Sequence, residues 1–244
     1  MQKDKCYRAV RDWDQSINFG LQHLFAEERQ KVSQFVKEFD EKQLLEEIEQ
    51  QIEEERRCNA DFISGVSSPI NLRALYILCR TLQPHIVVET GVGNGASSLI
   101  LLTALELNNR GKLYSIDLPP AVVDAQHSEY GKLNRVSLPP NKSTGWLVPN
   151  SLRHRWELIL GDSKKELSEL LGRVKRVDLF YHDAEHTRDA MLWEYRAVWP
   201  CLGSGGVLTS DDIGWNTAFN EFTAEQQTRA VSKRWFGFGM MRKR

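Results

Sequence analysis

The spacing of hydrophobic and polar residues changes near residue 60. Before this point strand-forming residues are few, and apolar side chains recur every three to four positions in a region rich in Glu, Gln and Lys. These apolar residues are Val32, Val36, Phe39, Leu45, Ile48 and Ile52. The period predicts an amphipathic helix or a pair of helices, so we expect residues 1–60 to form a helical N-terminal extension. The extension either mediates dimerisation or caps a site, or it packs on its own domain with an acidic face in water, and the second interpretation is favoured.

Beyond residue 60, short apolar runs alternate with longer amphipathic ones. The runs typical of strands are "HIVVET", "KLYSID", "WELILGD", "VDLFYHD" and "GGVLTSDD". The runs typical of helices are "INLRALYILCRTL", ended by Pro84, "ASSLILLTALELNN", closed by Gly111, "SKKELSELLG" and "EHTRDAMLWEYRAVW". Near the C-terminus, "RAVSKRW" and "FGFGMMRK" indicate two last strands joined by a tight turn, one of them antiparallel. Residues 61–244 are therefore predicted to form an α/β domain with a doubly wound, mostly parallel seven-stranded sheet.

One long segment, residues 131–155, lacks a regular pattern and contains three prolines. Loops of this length inside a domain are usually functional or disordered. Trp146 and Val148 within it indicate a loop that docks on another surface, which the sequence does not identify. It is either a lid over a substrate pocket or a surface loop that packs its own apolar residues.

Composition narrows the kinds of partner. The formal net charge is -1, so there is no general electrostatic attraction to nucleic acid or to an anionic membrane. No signal-peptide core and no apolar run near the length of a membrane span is present, and the four cysteines form no CxxC pair. We therefore expect a cytoplasmic protein with reduced thiols that acts on a small molecule and binds neither nucleic acid nor membrane.

Acidic side chains stand at the ends of the predicted strands. Because ligands bind beyond the carboxyl ends of the strands in an open parallel sheet, these side chains mark the expected site. Several carboxylates at one edge repel one another unless cations or hydroxyl groups lie among them. We therefore expect a polyhydroxylated ligand, a cation, or both. The residues are Glu89, Asp117, Asp162, Asp183, Asp211 and Asp212.

The stretch "VVETGVGNGASS" at residues 87–98 joins the first of these strands to a helix through a glycine loop. Gly91, Gly93 and Ala96 fit the dinucleotide pattern G-x-G-x-x-A. Glu89, Gly91, Gly93 and Gly95 fit another pattern, E-x-G-x-G-x-G. A carboxylate at the loop repels a pyrophosphate and attracts the ammonium and sulfonium groups of S-adenosylmethionine, so Glu89 favours S-adenosylmethionine over NAD.

Two further carboxylates suit the rest of a nucleoside cofactor. Asp117 closes the second strand and can accept hydrogen bonds from both ribose hydroxyls. Asp162, followed by Ser163, closes the third strand and is placed to meet the adenine edge. We therefore count Asp117, Asp162 and Ser163 among the candidate cofactor-binding residues.

Residues 60–244 resemble a class I S-adenosylmethionine-dependent methyltransferase. "VVETGVGNG", "LYSIDLP" and "LILGDS" are similar to that family's first three motifs, in order. "DLFYHDAEH" and "GGVLTSDDIGW" resemble the later motifs of metal-assisted small-molecule O-methyltransferases of the macrolide-sugar and catechol types, with a related branch of cephalosporin hydroxylases. The resemblance implies a Rossmann-like methyltransferase fold, and it implies dimers, since many relatives are dimeric. A homodimer is therefore possible here.

Asp183, Asp211 and Asp212 end two strands that are predicted to be adjacent. Such strands lie about 4.8 Å apart, so the three side chains can converge. Hard oxygen ligands without cysteine favour Mg²⁺ or a similar divalent ion. The resemblance matches these positions to metal ligands, although the catechol type has asparagine in place of Asp212. In the alternative interpretation, Asp211 or Asp212 caps the next helix.

A hydroxyl acceptor must lose a proton when it is methylated, and a histidine with a pKa near neutrality can take it. His182 should point away from Asp183, because successive strand residues face opposite sides. His186 lies three residues after Asp183, at the predicted start of a helix, and is the candidate base or substrate contact; it is alternatively a metal ligand or a structural hydrogen-bonding group. Trp215 and Asn216 can line the acceptor site, although Trp215 is equally suited to the core.

The leading hypothesis is a divalent-metal-assisted O-methyltransferase that acts on a small molecule with vicinal hydroxyls, such as a sugar-bearing natural product. One alternative is an NAD-dependent oxidoreductase. Another is a binding protein that keeps the cofactor fold without turnover. The sequence shows no signal for the identity of the acceptor.

Overall fold

A computed structural model describes residues 20–119, 138–228, 230–233 and 237–244. Seven α-helices and seven strands lie within these ranges. The helices are α1 (Arg29–Glu41), α2 (Leu44–Cys58), α3 (Pro69–Leu82), α4 (Ala96–Leu107), α5 (Ser163–Val174), α6 (Arg188–Val198) and α7 (Ala218–Gln226). The strands are β1 (Ile86–Thr90), β2 (Lys112–Asp117), β3 (Trp156–Leu160), β4 (Val177–His182), β5 (Leu202–Ser210), β6 (Ala230–Lys233) and β7 (Phe238–Arg242). Short 3₁₀ helices span Ala26–Glu28, Asn150–Arg155 and Trp199–Cys201.

The strands form one sheet in the order β3-β2-β1-β4-β5-β7-β6. The first five strands are parallel, β7 is antiparallel to β5, and β6 is antiparallel to β7. This confirms the predicted mostly parallel seven-stranded sheet and its antiparallel end. The strand order reverses between β1 and β4, so their carboxyl ends form the crevice in which ligands of doubly wound sheets bind.

Alternating strand residues supply two hydrophobic cores, one on each face of the sheet. Val87 and Leu179 pack with α3 and α4 on one face, while Val88 and Phe180 pack with α5, α6 and α7 on the other. Because both faces are covered, the central strands are apolar on both sides. Polar side chains within them therefore require specific partners.

Helices α1 and α2 confirm the predicted helix pair. Val32, Phe39, Ile48 and Ile52 are buried and belong to the same core as α3 and α4. Glu38 of α1 accepts hydrogen bonds from side chains of α3. The pair therefore packs on its own sheet domain, as the favoured interpretation held.

One local expectation was wrong. Helix α4 ends at Leu107 and is followed by Asn108 as its C-cap; the first left-handed residue after it is Asn109, with φ 49°, and Gly111, with φ 89°, comes two residues later. Asn is among the few non-glycine residues that adopt this conformation readily. Asn109 therefore takes the left-handed position at the end of the helix that was expected from the sequence for Gly111.

Part of the irregular segment predicted at 131–155 lies outside the described residues, namely 131–137. From residue 138 onward the segment runs through turns into the 3₁₀ helix before β3. Val148 is buried, and the indole of Trp146 donates a hydrogen bond to Asn94 in the glycine loop. The described part of the segment thus docks, as expected, and the surface on which it docks is its own domain.

No helix in the described ranges is both long and apolar enough to cross a bilayer. Cys58, Cys79 and Cys201 are free thiols. Cys6 lies outside the described residues.

Candidate functional site

The glycine loop joins β1 to α4 at the centre of the carboxyl edge. Gly91 has φ +85°, and a Cβ at this position would lie 2.0 Å from the carbonyl oxygen of Asp183. Gly95 has φ +92°, and a Cβ there would lie 2.7 Å from the Cα of Gly145. Only glycine fits both the backbone conformation and the close approach. The loop therefore lies directly against the residues that follow β4.

Glu89, the predicted cofactor carboxylate, is completely buried in β1. It accepts hydrogen bonds from the hydroxyls of Ser97 (2.6 Å), Ser98 (2.6 Å) and Ser115 (2.7 Å). Burial raises the pKa of Glu89, and the three hydroxyl donors oppose that rise. The carboxylate thus ties the start of α4 to β2. Its contact with a cofactor stays a prediction.

Asp117 and Asp162 stand at the ends of β2 and β3, as expected. Asp117 accepts a 2.8 Å hydrogen bond from the backbone N–H of Gly93, and burial raises its pKa. Asp162 caps α5 by accepting from the N–H of Lys164 at 2.8 Å, and Ser163 is the first residue of that helix. Both carboxylates therefore shape the edge on which a nucleoside would lie, and their cofactor contacts stay predictions.

Sequence reasoning missed a short segment, residues 64–67, that covers the glycine loop. The side-chain amide of Asn94 donates to the carbonyl of Ser64 at 2.7 Å, and Ser67 donates to Asp183 Oδ2 at 2.8 Å. The cavity between this segment and the loop holds about 10 Å³, which is room for about one water molecule. A ligand can occupy this place only after the segment moves.

Two aspartates follow β4 and β5 and share one hydroxyl: Asp211 is buried, and Asp183 is partly buried, with a 21% exposed side chain. Tyr181 Oη lies 3.1 Å from Asp183 Oδ2 and 3.2 Å from Asp211 Oδ2. Asn71 Nδ2 donates to Asp211 Oδ1 at 2.8 Å. Burial raises the pKa of both aspartates, and the repulsion from Asp211 raises that of Asp183 further. Tyr181, Asn71 and Ser67 gave no signal in the sequence, because Tyr181 looked like a core strand residue and the other two lie far away along the chain.

Asp212 differs from Asp211 in conformation and in partners. It has φ +50°, and its Oδ2 lies 3.9 Å from His186 Nε2. Burial and the neighbouring Asp211 raise the pKa of Asp212 to about 6. Neither residue caps the next helix, because α7 begins at Ala218, whose N–H donates to Asn216. The capping interpretation is therefore wrong.

His186 lies in the connection between β4 and α6, two residues before the helix, rather than in the helix as predicted. Its Nε2 lies 3.6 Å from Asp183 Oδ1, which exceeds a hydrogen-bond distance, and it is buried without a hydrogen-bond partner in the described structure. Burial lowers the pKa of His186 to about 3, so the ring is neutral at pH 7. His186 is therefore a weaker base than the near-neutral histidine expected from the sequence, and its buried Nε2 is left without a partner among the described residues.

The predicted ligand triad Asp183, Asp211 and Asp212 does not close on one point. Within the ranges that the structure describes, no three His, Cys, Asp or Glu side chains form a group that could hold a metal ion. The reason is the backbone turn at Asp212, since Asp211 bonds to Asn71 while Asp212 faces His186.

The two candidates for the acceptor side have separate roles. Trp215 is 51% exposed, and its ring lies 5.5 Å from that of His186. It is therefore not a core residue. Asn216 donates its amide to the carbonyl of His186 at 3.0 Å and so holds the connection in place. The observed contact of Asn216 is thus with the backbone, and its role in lining the acceptor site stays a prediction.

His182 points away from Asp183, as predicted. It is fully buried, and its Nδ1 lies 2.7 Å from Glu194 Oε2. Thr90 Oγ1 donates to the same oxygen at 2.6 Å.

Comparisons with known proteins agree with this geometry. A methyltransferase-domain family model matches residues 88–213, just over half of the chain, including the glycine loop and the late aspartates. No curated protein matches the sequence significantly.

Several solved structures share the fold. The SAH-bound methyltransferase PaMTH1 of Podospora anserina matches with TM-score 0.55 and 16% identity, over 83% of this chain and 88% of its own. An O-methyltransferase from Bacillus cereus in complex with SAH matches with TM-score 0.55 and 15% identity, over 80% and 91%. The calicheamicin methyltransferase CalS11 matches with TM-score 0.51 and 16% identity, over 71% and 77%.

The sheet order, the glycine loop at its switch point and the family match lead to one assignment. The chain belongs to the methyltransferase-domain family, and its fold is that of the class I S-adenosylmethionine-dependent methyltransferases.

Proposed function

We propose that the chain transfers the methyl group of S-adenosylmethionine to a hydroxyl of a small molecule with vicinal hydroxyls. The observation that carries this proposal is the arrangement of Asp183, Asp212 and His186 directly beside the glycine loop. Among the described residues, no lysine or arginine forms an ion pair with these aspartates or with Asp211. The site therefore suits a ligand that brings hydroxyl donors or a cation, rather than an anionic acceptor.

The cofactor would lie along the carboxyl ends of β1, β2 and β3. Gly91, Gly93 and Gly95 let the backbone approach it, Asp117 accepts from ribose hydroxyls, and Asp162 with Ser163 meets the adenine. Glu89 disfavours a pyrophosphate at the loop, which supports S-adenosylmethionine against NAD. The same fold occurs in SAH-bound methyltransferases, which supports this choice.

The acceptor hydroxyl would lie between Asp183 and His186. In the reaction, the acceptor oxygen forms a bond to the methyl carbon, the carbon–sulfur bond breaks, and the sulfonium becomes a neutral thioether. The acceptor proton passes to His186 Nε2, which is neutral and has no hydrogen-bond partner among the described residues. Exposed Trp215 supplies an apolar wall for the ring that carries the hydroxyls. The fold relatives include an O-methyltransferase and a calicheamicin methyltransferase, which supports a hydroxyl acceptor on a small molecule.

A hard divalent ion such as Mg²⁺ fits the chemistry of these donors. Three carboxylates lie together without a basic partner in the described structure, and one buried imidazole nitrogen is unpartnered. Asp183, Asp211 and Asp212 would hold the ion, which requires their side chains to turn towards one point, because they do not converge in the described structure; His186 stays the base. When bound, it would lower the pKa of a coordinated hydroxyl.

Calorimetric titration of the full chain with S-adenosylmethionine and with NAD, each with and without Mg²⁺, tests the cofactor. Transfer of a labelled methyl group to catechol and to methyl β-D-glucopyranoside, two vicinal diols, tests the acceptor class. We expect that S-adenosylmethionine binds and that NAD does not. We also expect that one of the two diols is labelled only when Mg²⁺ is present.

Each failure has its own meaning. Binding of NAD, or of neither cofactor, would overturn the methyltransferase mechanism. Cofactor binding with no labelling of either diol would remove vicinal hydroxyls as the acceptor class. Labelling that is unchanged by a metal chelator would show that the reaction does not use a divalent ion.

A further inference from the structure

A buried polar cluster lies behind the proposed base and takes no part in the chemistry above. Thr90, His182 and Glu194 are each at most 1% exposed. Glu194 Oε2 accepts from Thr90 Oγ1 at 2.6 Å and lies 2.7 Å from His182 Nδ1. Thr90 and His182 are paired residues of β1 and β4, so the cluster sits at the carboxyl edge of the sheet on the face covered by α6.

Stability alone does not explain such a cluster. Placing a carboxylate and an imidazole in a core has a high desolvation cost, and well-packed apolar side chains of similar volume are often as stable. His182 Nε2 even lacks a hydrogen-bond partner in the described structure. The cluster therefore points to a role in the neighbouring site.

That role is visible in the contacts of His186. Its ring meets the ring of His182 edge-on, with centroids 5.5 Å apart and planes at 79°. Trp215 lies on another side at 5.5 Å, and Asn216 holds the backbone carbonyl of His186. Trp215 is half exposed, whereas His182 is completely buried, so His182 is the buried wall against which the ring of His186 rests.

We propose that Glu194, acting through His182, is a positioning residue for His186. The bond at Nδ1 fixes the plane of the His182 ring, because it is short and joins two fully buried side chains. The fixed ring then holds His186 with Nε2 towards Asp183 and Asp212. The inference rests on the proposed role of His186 as the base.

The test uses the full chain labelled with ¹⁵N-histidine, and the His186 signals are assigned with H186Q. Glu194→Met keeps much of the side-chain volume but cannot accept a hydrogen bond, while Glu194→Gln keeps an acceptor oxygen. Thr90→Val is the matched control, because it removes the other hydrogen bond to Glu194 and leaves the His182 bond in place. The measurements are the long-range ¹H–¹⁵N spectrum of the His186 ring and, for catechol as acceptor, kcat and KM.

In the wild-type chain, in Glu194→Gln and in Thr90→Val, we expect one sharp tautomer of His186. In Glu194→Met we expect broadened or mixed tautomer signals, and a kcat lowered about tenfold with an unchanged KM for S-adenosylmethionine. If Glu194→Met does not fold, His182→Phe replaces it, since Phe keeps the ring wall and loses the Nδ1 bond. The same changes are then expected.

Unchanged His186 signals in the folded variants would overturn the inference, and a shift of the melting temperature alone would show a merely structural cluster. The spectrum needs no acceptor, so this result is independent of whether the chain methylates a diol. A wild-type chain that labels neither diol would count against the proposed acceptor class, and a fully active H186Q would count against His186 as the base.

Discussion

Glu89 and the three aspartates that follow β4 and β5 all belong to the carboxyl edge around the glycine loop, and they differ in how their oxygens are hydrogen-bonded. Glu89 has three serine hydroxyls at 2.6–2.7 Å and no exposed surface. Asp183 and Asp211 share one tyrosine hydroxyl and accept one further side-chain hydrogen bond each, from a serine and from an asparagine. Asp212 is partly exposed, and His186 next to it has an unpartnered nitrogen in the described structure. Neither group has a lysine or arginine partner in the part of the chain that the structure describes.

The difference separates a carboxylate whose oxygens accept from three hydroxyl donors from carboxylates that repel one another. A buried charge is tolerated when its acceptor sites are filled by hydrogen-bond donors, as for Glu89. Burial raises the pKa of Glu89 and of Asp183 alike, but the repulsion from Asp211 raises that of Asp183 further, which favours a cation or a hydroxylated ligand there. Three changes sharpen or break this comparison.

The largest expected effect is on stability, in Glu89→Ala. Three buried serine hydroxyls would lose their acceptor, so we expect the free energy of unfolding to fall by about 3 kcal/mol. Urea unfolding followed by circular dichroism measures it. Glu169→Ala, at a residue with a 65% exposed side chain, is the control and should change stability by less than about 0.5 kcal/mol. A loss below about 1 kcal/mol in Glu89→Ala would mean that the serine bonds are not structural.

The second effect is on activity, in Asp183→Asn. The amide oxygen still accepts from Ser67 and one of two repelling charges is removed, so stability should be unchanged or higher. Methyl transfer to the diol probe should fall about 100-fold, because the site loses the negative charge that orients the acceptor hydroxyl or a bound cation. Asp189→Asn, at a 91% exposed side chain, is the matched control and should keep full activity. An active Asp183→Asn would show that this group is as structural as Glu89.

The smallest effect is a pH dependence, in Asp212→Asn. The folded-state pKa of about 6 lies above the usual 3.8, so the folded state binds the proton more tightly and ionised Asp212 costs stability above pH 6. The variant should therefore melt higher than wild type at pH 8, and the gap should close as the pH falls to about 4. Asn tolerates the left-handed backbone at this position, so the change isolates the charge. Melting curves at pH 4, 6 and 8 check it, and a gap that does not vary with pH would contradict it.

Much of the architecture was predictable from local pattern. Apolar runs of strand length, amphipathic helices between them and the glycines after β1 predicted the sheet, its class and the edge that carries the site. The ends of β4 and β5 correctly placed Asp183 and Asp211 at that edge. The alternation of strand residues correctly turned His182 away from Asp183. These features depend on the period of the chain and on the order of its elements, which the sequence contains directly.

The partners of each carboxylate were decided only by the tertiary structure. Ser67 reaches Asp183 across 116 residues and Asn71 reaches Asp211 across 140, and no local pattern links such pairs. From the sequence, Asp211 and Asp212 were expected to bind the same metal ion. The left-handed turn at Asp212 directs its side chain away from that of Asp211. The sequence by itself thus determined where the acidic groups gather, because strand ends follow from periodicity. Only the packed fold decided which of these carboxylates accept hydrogen bonds and from which donors, because the donors come from distant parts of the chain.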